Sequence, residues 1–287
     1  MSSVLITGTS KGIGLETALT FGRAGHTVHA TMRNPSASPE LAQMANRENL
    51  PITVSTMDVD CDQSVRDGVA TIHEKYGPID VLVNNAGVER VGSVEELPLA
   101  EFRAVMETNY FGALRCIQVL VPHMRQRRSG CIINMCSVFG RITNPPFTPY
   151  TASKWALEAL SEALACEMKT FGVRVAIVEP GIIDTAMARR IAARSYGSVY
   201  RQRARYASLF RASLKNPVPP SLVAQKILEI AESGTWQLRH PVGPDAISVL
   251  QRRSQLKDEE WVDLNASDDE TWYRSHGVPR RSPDQAM

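Results

Sequence analysis

The chain has 287 residues, of which 43% are hydrophobic and 22% charged, and its net charge is +2. This is the balance of a globular protein with a large core, and it carries no overall basic field that would call for nucleic acid. No apolar run approaches the ~20 residues that span a bilayer, and the five cysteines form no CxxC pair, so a cytoplasmic protein with buried, reduced thiols and no metal site is expected.

In chain order, short apolar runs rich in Val and Ile alternate with helical patterns. The first run, VLIT (4–7), begins too early for a signal peptide to precede it. It leads into TGTSKGIG (7–14) and a helix over 13–24. Gly8, Gly12 and Gly14 let the backbone turn tightly, and the helix N-terminus then offers N–H groups and a positive dipole end to a phosphate. The spacing is GxxxGxG, not the GxGxxG of the common dinucleotide fingerprint.

The second run, TVHATM (27–32), ends at Met32 and Arg33. An NAD site usually places an acid there for the ribose 2′-hydroxyl. With Arg33 in that position, Lys11 in the glycine loop and no carboxylate, a 2′-phosphate and therefore NADP(H) is expected.

Next come ITVSTMDV (52–59), a helix over 62–76, DVLVNNAG (80–87), a helix over 99–126 with a break near Pro122, CIINMCS (131–137), a helix over 150–171 and VRVAIVEPG (173–181). Strands buried on both faces and alternating with helices predict a parallel, doubly wound α/β sheet. A seventh strand is expected near WQLRHPV (236–242). Residues 1–264 read as one domain. Within it, 186–218 form a substrate lid whose stretch 186–215 holds seven arginines, one lysine and no acid. That stretch reads as the outer face of amphipathic helices. Alternatively, it contacts an acidic substrate, an acyl-carrier protein or a membrane surface. Residues 265–287 lack periodicity and read as a loosely ordered tail.

The pair Tyr150 and Lys154 lies one helical turn apart in YTASK (150–154). Positions i and i+4 share a helix face. An ammonium at ~4 Å from the phenol, at an effective dielectric of ~20, is worth about 4 kcal/mol, enough to lower its pKa by two to three units. Tyr150 is thus expected to be poised near neutrality as a general acid and base. Ser137, at the end of the fifth run, can orient a substrate carbonyl and steady an alkoxide. Asn109 sits inside a helix, where asparagine is unfavourable. Val88, Glu89, Phe139, the stretch from Arg141 to Phe147, Met187, Ile191 and Tyr196 are expected to frame a pocket for a lipophilic ketone, aldehyde or alcohol.

Taken in order, TGTSKGIG, Asp58 in MDV, NNAG (84–87), NYFG (109–112), Ser137, YTASK and PGIIDT (180–185) resemble the short-chain dehydrogenase/reductase family, including the thirteen positions from Ser137 to Tyr150. HPVGPDA and LKDEEW resemble its branch of 17β-hydroxysteroid and retinol dehydrogenase-like enzymes. The resemblance implies a Rossmann-like sheet of order 3-2-1-4-5-6-7 and a catalytic set Asn109, Ser137, Tyr150 and Lys154. It places Ser10, Ile13, Val59, Pro180 and Gly181 among the cofactor residues. It also implies that Asp58 meets the adenine, that Asn84, Ala86 and Gly87 support the cofactor, and that Ile183 and Thr185 hold the carboxamide. Lys154 would bond the nicotinamide ribose, and Asn109 would distort its helix and hold a proton-relay water. A homodimer or homotetramer through helices 99–126 and 150–171 is implied as well. Two other readings remain at this point: a 3-oxoacyl-carrier-protein reductase, and a regulator that only binds NADP(H).

Overall fold

The computed structural model describes residues 1–193 and 197–279. Its seven strands are β1 (Ser3–Thr7), β2 (Thr27–Met32), β3 (Ile52–Thr56), β4 (Val81–Asn84), β5 (Gly130–Met135), β6 (Val173–Pro180) and β7 (Arg239–Val242). They form one sheet in the order β3-β2-β1-β4-β5-β6-β7, and every neighbouring pair is parallel. The order reverses between β1 and β4, which opens a crevice at the strands' C-terminal ends.

Side chains along β1 alternate between two cores. Val4 and Ile6 face Leu19 and Phe21 of α1 (Gly12–Arg23), Leu41 of α2 (Glu40–Arg47) and Ile227 of the later helix Pro220–Ser233. Leu5 faces the opposite layer, made by α3 (Asp62–Tyr76), the segment 99–127 and the helix Thr148–Lys169. All of these side chains are fully buried, which explains why the strands read as continuous apolar runs rather than alternating ones. The helix α2 lies between two turns and was not anticipated; at eight residues it is too short to show a strong period.

The segment 99–127 breaks elsewhere than at Pro122. It comprises α4 (Leu99–Met106), a π turn over Glu107–Phe111 and α5 (Gly112–Arg127), with Pro122 inside α5. The wide turn centres on Asn109, whose side chain bonds outside its own helix. Next come α6 (Thr148–Lys169), with Pro149 in its first turn, α7 (Ala186–Ala193), α8 (Gln202–Ser213) and α9 (Pro220–Ser233).

Part of the expected loose tail is helical instead. After α10 (Pro244–Gln255) come α11 (Asp258–Ala266) and α12 (Asp269–Ser275), and Trp272 is fully buried. Each of the last two helices is anchored by a single tryptophan, Trp261 or Trp272, which leaves no stripe for a periodicity search to find. The rest of the expected tail, from 280, lies outside the described residues, as does Tyr196. Cys116, Cys131 and Cys136 are buried as expected, whereas Cys61 and Cys166 are exposed.

Two acids lie in the core beneath the sheet's C-terminal edge. Glu179 on β6 is wholly buried and Glu158 on α6 nearly so. Arg141 approaches Glu179 at 3.3 Å, and Arg239 approaches Glu158 at 3.0 Å. One oxygen of each carboxyl has no hydrogen-bond partner among the described residues. Burial, reinforced by the charge on Glu158, pushes Glu179 up to about 7 from an ordinary 4.5. The folded chain therefore holds a proton that the unfolded chain releases over that interval. Stability from this group is complete at acid pH and is lost as pH rises through about 7. Glu179→Gln cannot ionise, so it is expected to gain about 1–2 kcal/mol over the native chain near pH ~8 and nothing near pH ~4. Denaturant unfolding at the two pH values checks this; equal effects at both would remove the claim.

Candidate active site

A cleft of about 620 Å3 runs across the C-terminal ends of the central strands, from the glycine loop to α7 and α8. At one end, Gly8 and Gly12 have φ of +71° and +60°, in the left-handed region that favours glycine. A side chain on Gly8 would lie 2.7 Å from the Ala86 backbone, and one on Gly14 would lie 2.4 Å from the Gly8 carbonyl. The loop is thus a backbone cradle that only glycine permits, closed against the turn after β4.

Asn85 holds that closure. Its Nδ2 donates to the carbonyls of Thr7 at 2.8 Å and Gly8 at 3.0 Å. Thr7 Oγ1 in turn accepts from the backbone N–H groups of Asn85 and Ala86, both at 3.0 Å. Neither residue was singled out from the sequence. The expected residue, Asn84, faces the other way: its Nδ2 donates to Asn134 Oδ1 at 2.8 Å inside the sheet, and it does not line the cleft. Asn84 supports β4 and β5 rather than a ligand.

Ser10, Lys11, Gly12, Ile13, Gly14, Arg33, Asp58, Val59, Ala86, Gly87, Pro180, Gly181, Ile183 and Thr185 all line the cleft. Arg33 and Lys11 are exposed at its outer end. Asp60 and Thr108 lie there too, and Thr108 donates to the Asp60 carboxylate at 3.0 Å. Burial raises the Asp60 pKa, while the Thr108 hydrogen bond and the Arg33 charge oppose that shift. The outer end therefore mixes two cations with Asp58 and Asp60, so the sequence expectation of cations without acids holds for Arg33's own position but not for its surroundings.

At the inner end, Ser137, Tyr150 and Lys154 come together. Lys154 is buried, and its Nζ donates to the Met135 carbonyl at 2.7 Å and lies 5.5 Å from the centre of the Tyr150 ring. Ser137 Oγ accepts from Phe139 N at 3.2 Å. A side chain at Gly87 would stand 3.4 Å from Asn109 Oδ1 and 3.9 Å from Lys154 Nζ, ordinary contact distances that place this turn against the group.

Asn109 lies outside the cleft and braces it from behind. Its Oδ1 accepts from Val88 N at 2.8 Å, and its Nδ2 donates to Val88 O and to Ser153 Oγ, each at 2.9 Å. The π turn aims this amide at α6 and at the turn after β4 simultaneously.

The electrostatics differ from the sequence expectation. Burial pushes the Tyr150 phenol well above its ordinary value, and contact with the Ser137 hydroxyl pulls the other way. Burial also lowers the pKa of the Lys154 ammonium. A pairwise Coulomb sum at a chosen dielectric omits desolvation, which dominates here. In the free chain burial therefore shifts the Tyr150 phenol upward, opposite to the direction that the lysine charge alone would give.

Val88, Glu89, Phe139, Phe147, Met187 and Ile191 line the inner wall, joined by Phe210 and Arg190, which were not anticipated. Arg141 is absent from it, because the buried Glu179 draws its guanidinium behind the site. Glu89 is held by Arg190 Nη2 at 3.1 and 3.2 Å, tying the turn after β4 to α7. Other arginines of the basic segment are likewise engaged within the chain. Arg189 pairs with Asp184 at 2.6 Å and Arg205 with Asp269 at 2.7 Å, while Arg211 donates to the Ala192 carbonyl at 2.7 Å. Among the described residues no cluster of His, Cys, Asp or Glu could hold a metal ion, and no helix is long and apolar enough to cross a membrane.

The model of the short chain dehydrogenase family matches residues 2–195, which include the cradle, Ser137, Tyr150 and Lys154. The chain belongs to that family. Across nearly its full length it is similar to an oxidoreductase, BOA17, of Botryotinia fuckeliana, at 32% identity over 91% of this chain and 96% of the relative. Retinol dehydrogenase 8 of Bos taurus is 40% identical over 64% of this chain and 59% of its own. Among solved structures, a gluconate 5-dehydrogenase from Burkholderia cenocepacia in complex with NADP and tartrate superposes with a TM-score of 0.75. Its identity is 25%, over 86% of this chain and 95% of that one. As a short-chain dehydrogenase, the protein is an oxidoreductase of CH–OH and C=O groups that uses a nicotinamide dinucleotide.

The cradle fits that cofactor class, because its glycines clear the backbone approach that a pyrophosphate needs. Gly14→Ala would set a methyl 2.3 Å from Asn85 Nδ2 and force the loop apart. It is expected to weaken dinucleotide binding about tenfold or more, as read by fluorescence titration. An unchanged affinity would show that the cradle is not the phosphate site.

Proposed function

We propose that this protein is an NADPH-preferring oxidoreductase that interconverts a lipophilic ketone or aldehyde and its alcohol, with Tyr150 as general acid and base. The observation that carries the reading is the placement of Tyr150, Ser137 and Lys154 at the inner end of a cleft whose outer end is the glycine cradle. A wall of Phe139, Phe147, Phe210, Met187 and Ile191 supports a lipophilic substrate.

When bound, the cofactor supplies the hydride. The chain does the rest. Ser137 Oγ orients the carbonyl oxygen beside the phenol. Tyr150 holds its proton at Oη and passes it to the alkoxide oxygen, which is far more basic than a phenolate, so a raised phenol pKa is no obstacle to reduction. Lys154, fixed on the Met135 carbonyl, stands behind the ring and stabilises the phenolate left after transfer. Ser10, Lys11, Gly12 and Ile13 would hold the phosphates, Arg33 and Lys11 would favour a 2′-phosphate, and Ile183 and Thr185 would receive the carboxamide. The NADP in the Burkholderia relative supports the same preference. Exposed Phe111, at the end of the π turn before α5, and Trp155, on α6, suit assembly through that helical layer.

Incubation of purified protein with retinal, steroid ketones, simple aldehydes and acyl thioesters, followed by NADPH absorbance, tests the reading. Turnover is expected on lipophilic carbonyls, and turnover confined to acyl thioesters would favour a carrier-protein reductase. Tyr150→Phe should bind NADPH normally and lose about 10²-fold or more in kcat; a near-native rate would discard the assigned acid. Because the raised phenol stays protonated below its folded value, the reduction rate is expected to be flat from about pH 6 to 9, while alcohol oxidation rises with pH. Arg33→Asp should weaken NADPH about tenfold more than NADH, since a charge-assisted phosphate contact is lost. Equal effects on the two would remove the 2′-phosphate assignment.

A further inference from the structure

Helix α12, the last among the described residues, is connected to the inner end of the cleft by an unbroken series of aromatic contacts. Trp272 on α12 meets Tyr206 on α8 edge to face, with centroids 5.5 Å apart. Tyr206 meets Phe147 at 5.6 Å and 87°. Phe147 also contacts Phe139 at 5.2 Å and Phe210 at 5.7 Å, and Phe139 meets the Tyr150 ring at 6.1 Å and 78°. Phe139, Phe147 and Phe210 form the substrate wall, whereas Trp272 and Tyr206 stand behind it and do not line the cleft.

A buried cation secures the same joint. Arg205 on α8 is 2% exposed, and its guanidinium lies over the Trp272 ring at 5.6 Å. Its Nε donates to Asp269 Oδ1 at 2.9 Å and its Nη2 to Ser267 O at 2.8 Å, both in the junction that opens α12. Tyr206 OH donates to Asn265 Oδ1 at 3.2 Å, at the end of α11. A buried guanidinium is tolerated only where such acceptors surround it. The lid helix α8 therefore has its full set of partners only while the C-terminal helices are docked.

We propose that α12 is a specificity brace, in which Trp272 and Arg205 are positioning residues that hold Tyr206, Phe147 and Phe210 in place and so set the shape of the substrate wall. Substrate discrimination is thereby assigned to a part of the chain that never touches substrate. The catalytic consequence rests on the oxidoreductase reading above; the packing consequence does not.

The test uses the full chain with Trp272→Ala, Trp272→Phe and Arg205→Met. Hydrogen exchange reads the packing without any substrate. Trp272→Ala is expected to lose protection over 202–213 and 142–150 while the glycine loop at 7–14 is unchanged. No loss in 202–213, or an equal loss in every segment, would overturn the brace. Steady-state kinetics reads the consequence. KM for a bulky carbonyl should rise about tenfold in Trp272→Ala and Arg205→Met, as a wall shifted by about an ångström allows. KM for a small aldehyde and affinity for NADPH should stay within about twofold, and Trp272→Phe should restore discrimination. Equal changes for bulky and small substrates would also overturn it. A native chain that turns over no carbonyl would defeat the functional reading, while the exchange result would still decide the brace.

Discussion

The site depends on one hydrogen bond, from Lys154 Nζ to the carbonyl of Met135 at 2.7 Å. An ammonium inside a protein is costly unless an oxygen receives it. That oxygen belongs to the last residue of β5, so the contact pins the second turn of α6 to the sheet. Tyr150, one turn earlier, and Ser137, two residues past the strand, are brought together by that contact. Lys154 is buried, whereas Tyr150 is half-buried and lines the cleft beside it. Burial raises the pKa of the phenol, which favours its protonated form in the free chain.

The two ends of the cleft share a single turn, residues 84–88. Asn85 and Thr7 join it to the glycine cradle, and Asn109 clamps Val88 from the opposite side. The glycine cradle and the end that holds Ser137, Tyr150 and Lys154 are therefore spaced by backbone, not by flexible side chains. A hydride acceptor placed against Tyr150 needs that kind of fixed span, because misplacement by an ångström is expensive in rate. The π turn around Asn109 lets one amide reach both α6 and the turn, which a regular helix would not allow at that position.

Much of this was legible in the sequence, for physical reasons that can be named. Strands buried on both faces read as plain Val and Ile runs, and the glycines mark places where a side chain would collide with backbone. What was misread came from terms a linear pattern does not carry. Asn84 and Asn85 are adjacent and alike, but strand alternation turns the first into the sheet toward Asn134 and leaves the second for the loop. The register of Asn84 opposite Asn134 was the available signal. Arg141, expected in the pocket, pairs instead with Glu179, and the acid in the buried strand VRVAIVEP is the sign that a cation is needed there. The Tyr150–Lys154 spacing yields a charge–charge distance but not the burial of either partner, and burial acts on the phenol in the opposite direction. The helix α12 was missed because one tryptophan anchors it.

The central claim is that the Tyr150 phenol retains its proton through and beyond the neutral range in the folded chain. NMR titration of ring-labelled tyrosine, with Tyr150→Phe used to assign the resonance, measures it directly. The account predicts a Tyr150 signal in its protonated position from about pH 6 to 10, with no midpoint inside that interval, whereas an exposed tyrosine approaches its own midpoint near ~10. A midpoint near neutrality in the free protein would contradict the account, and would mean that the Lys154 charge outweighs burial.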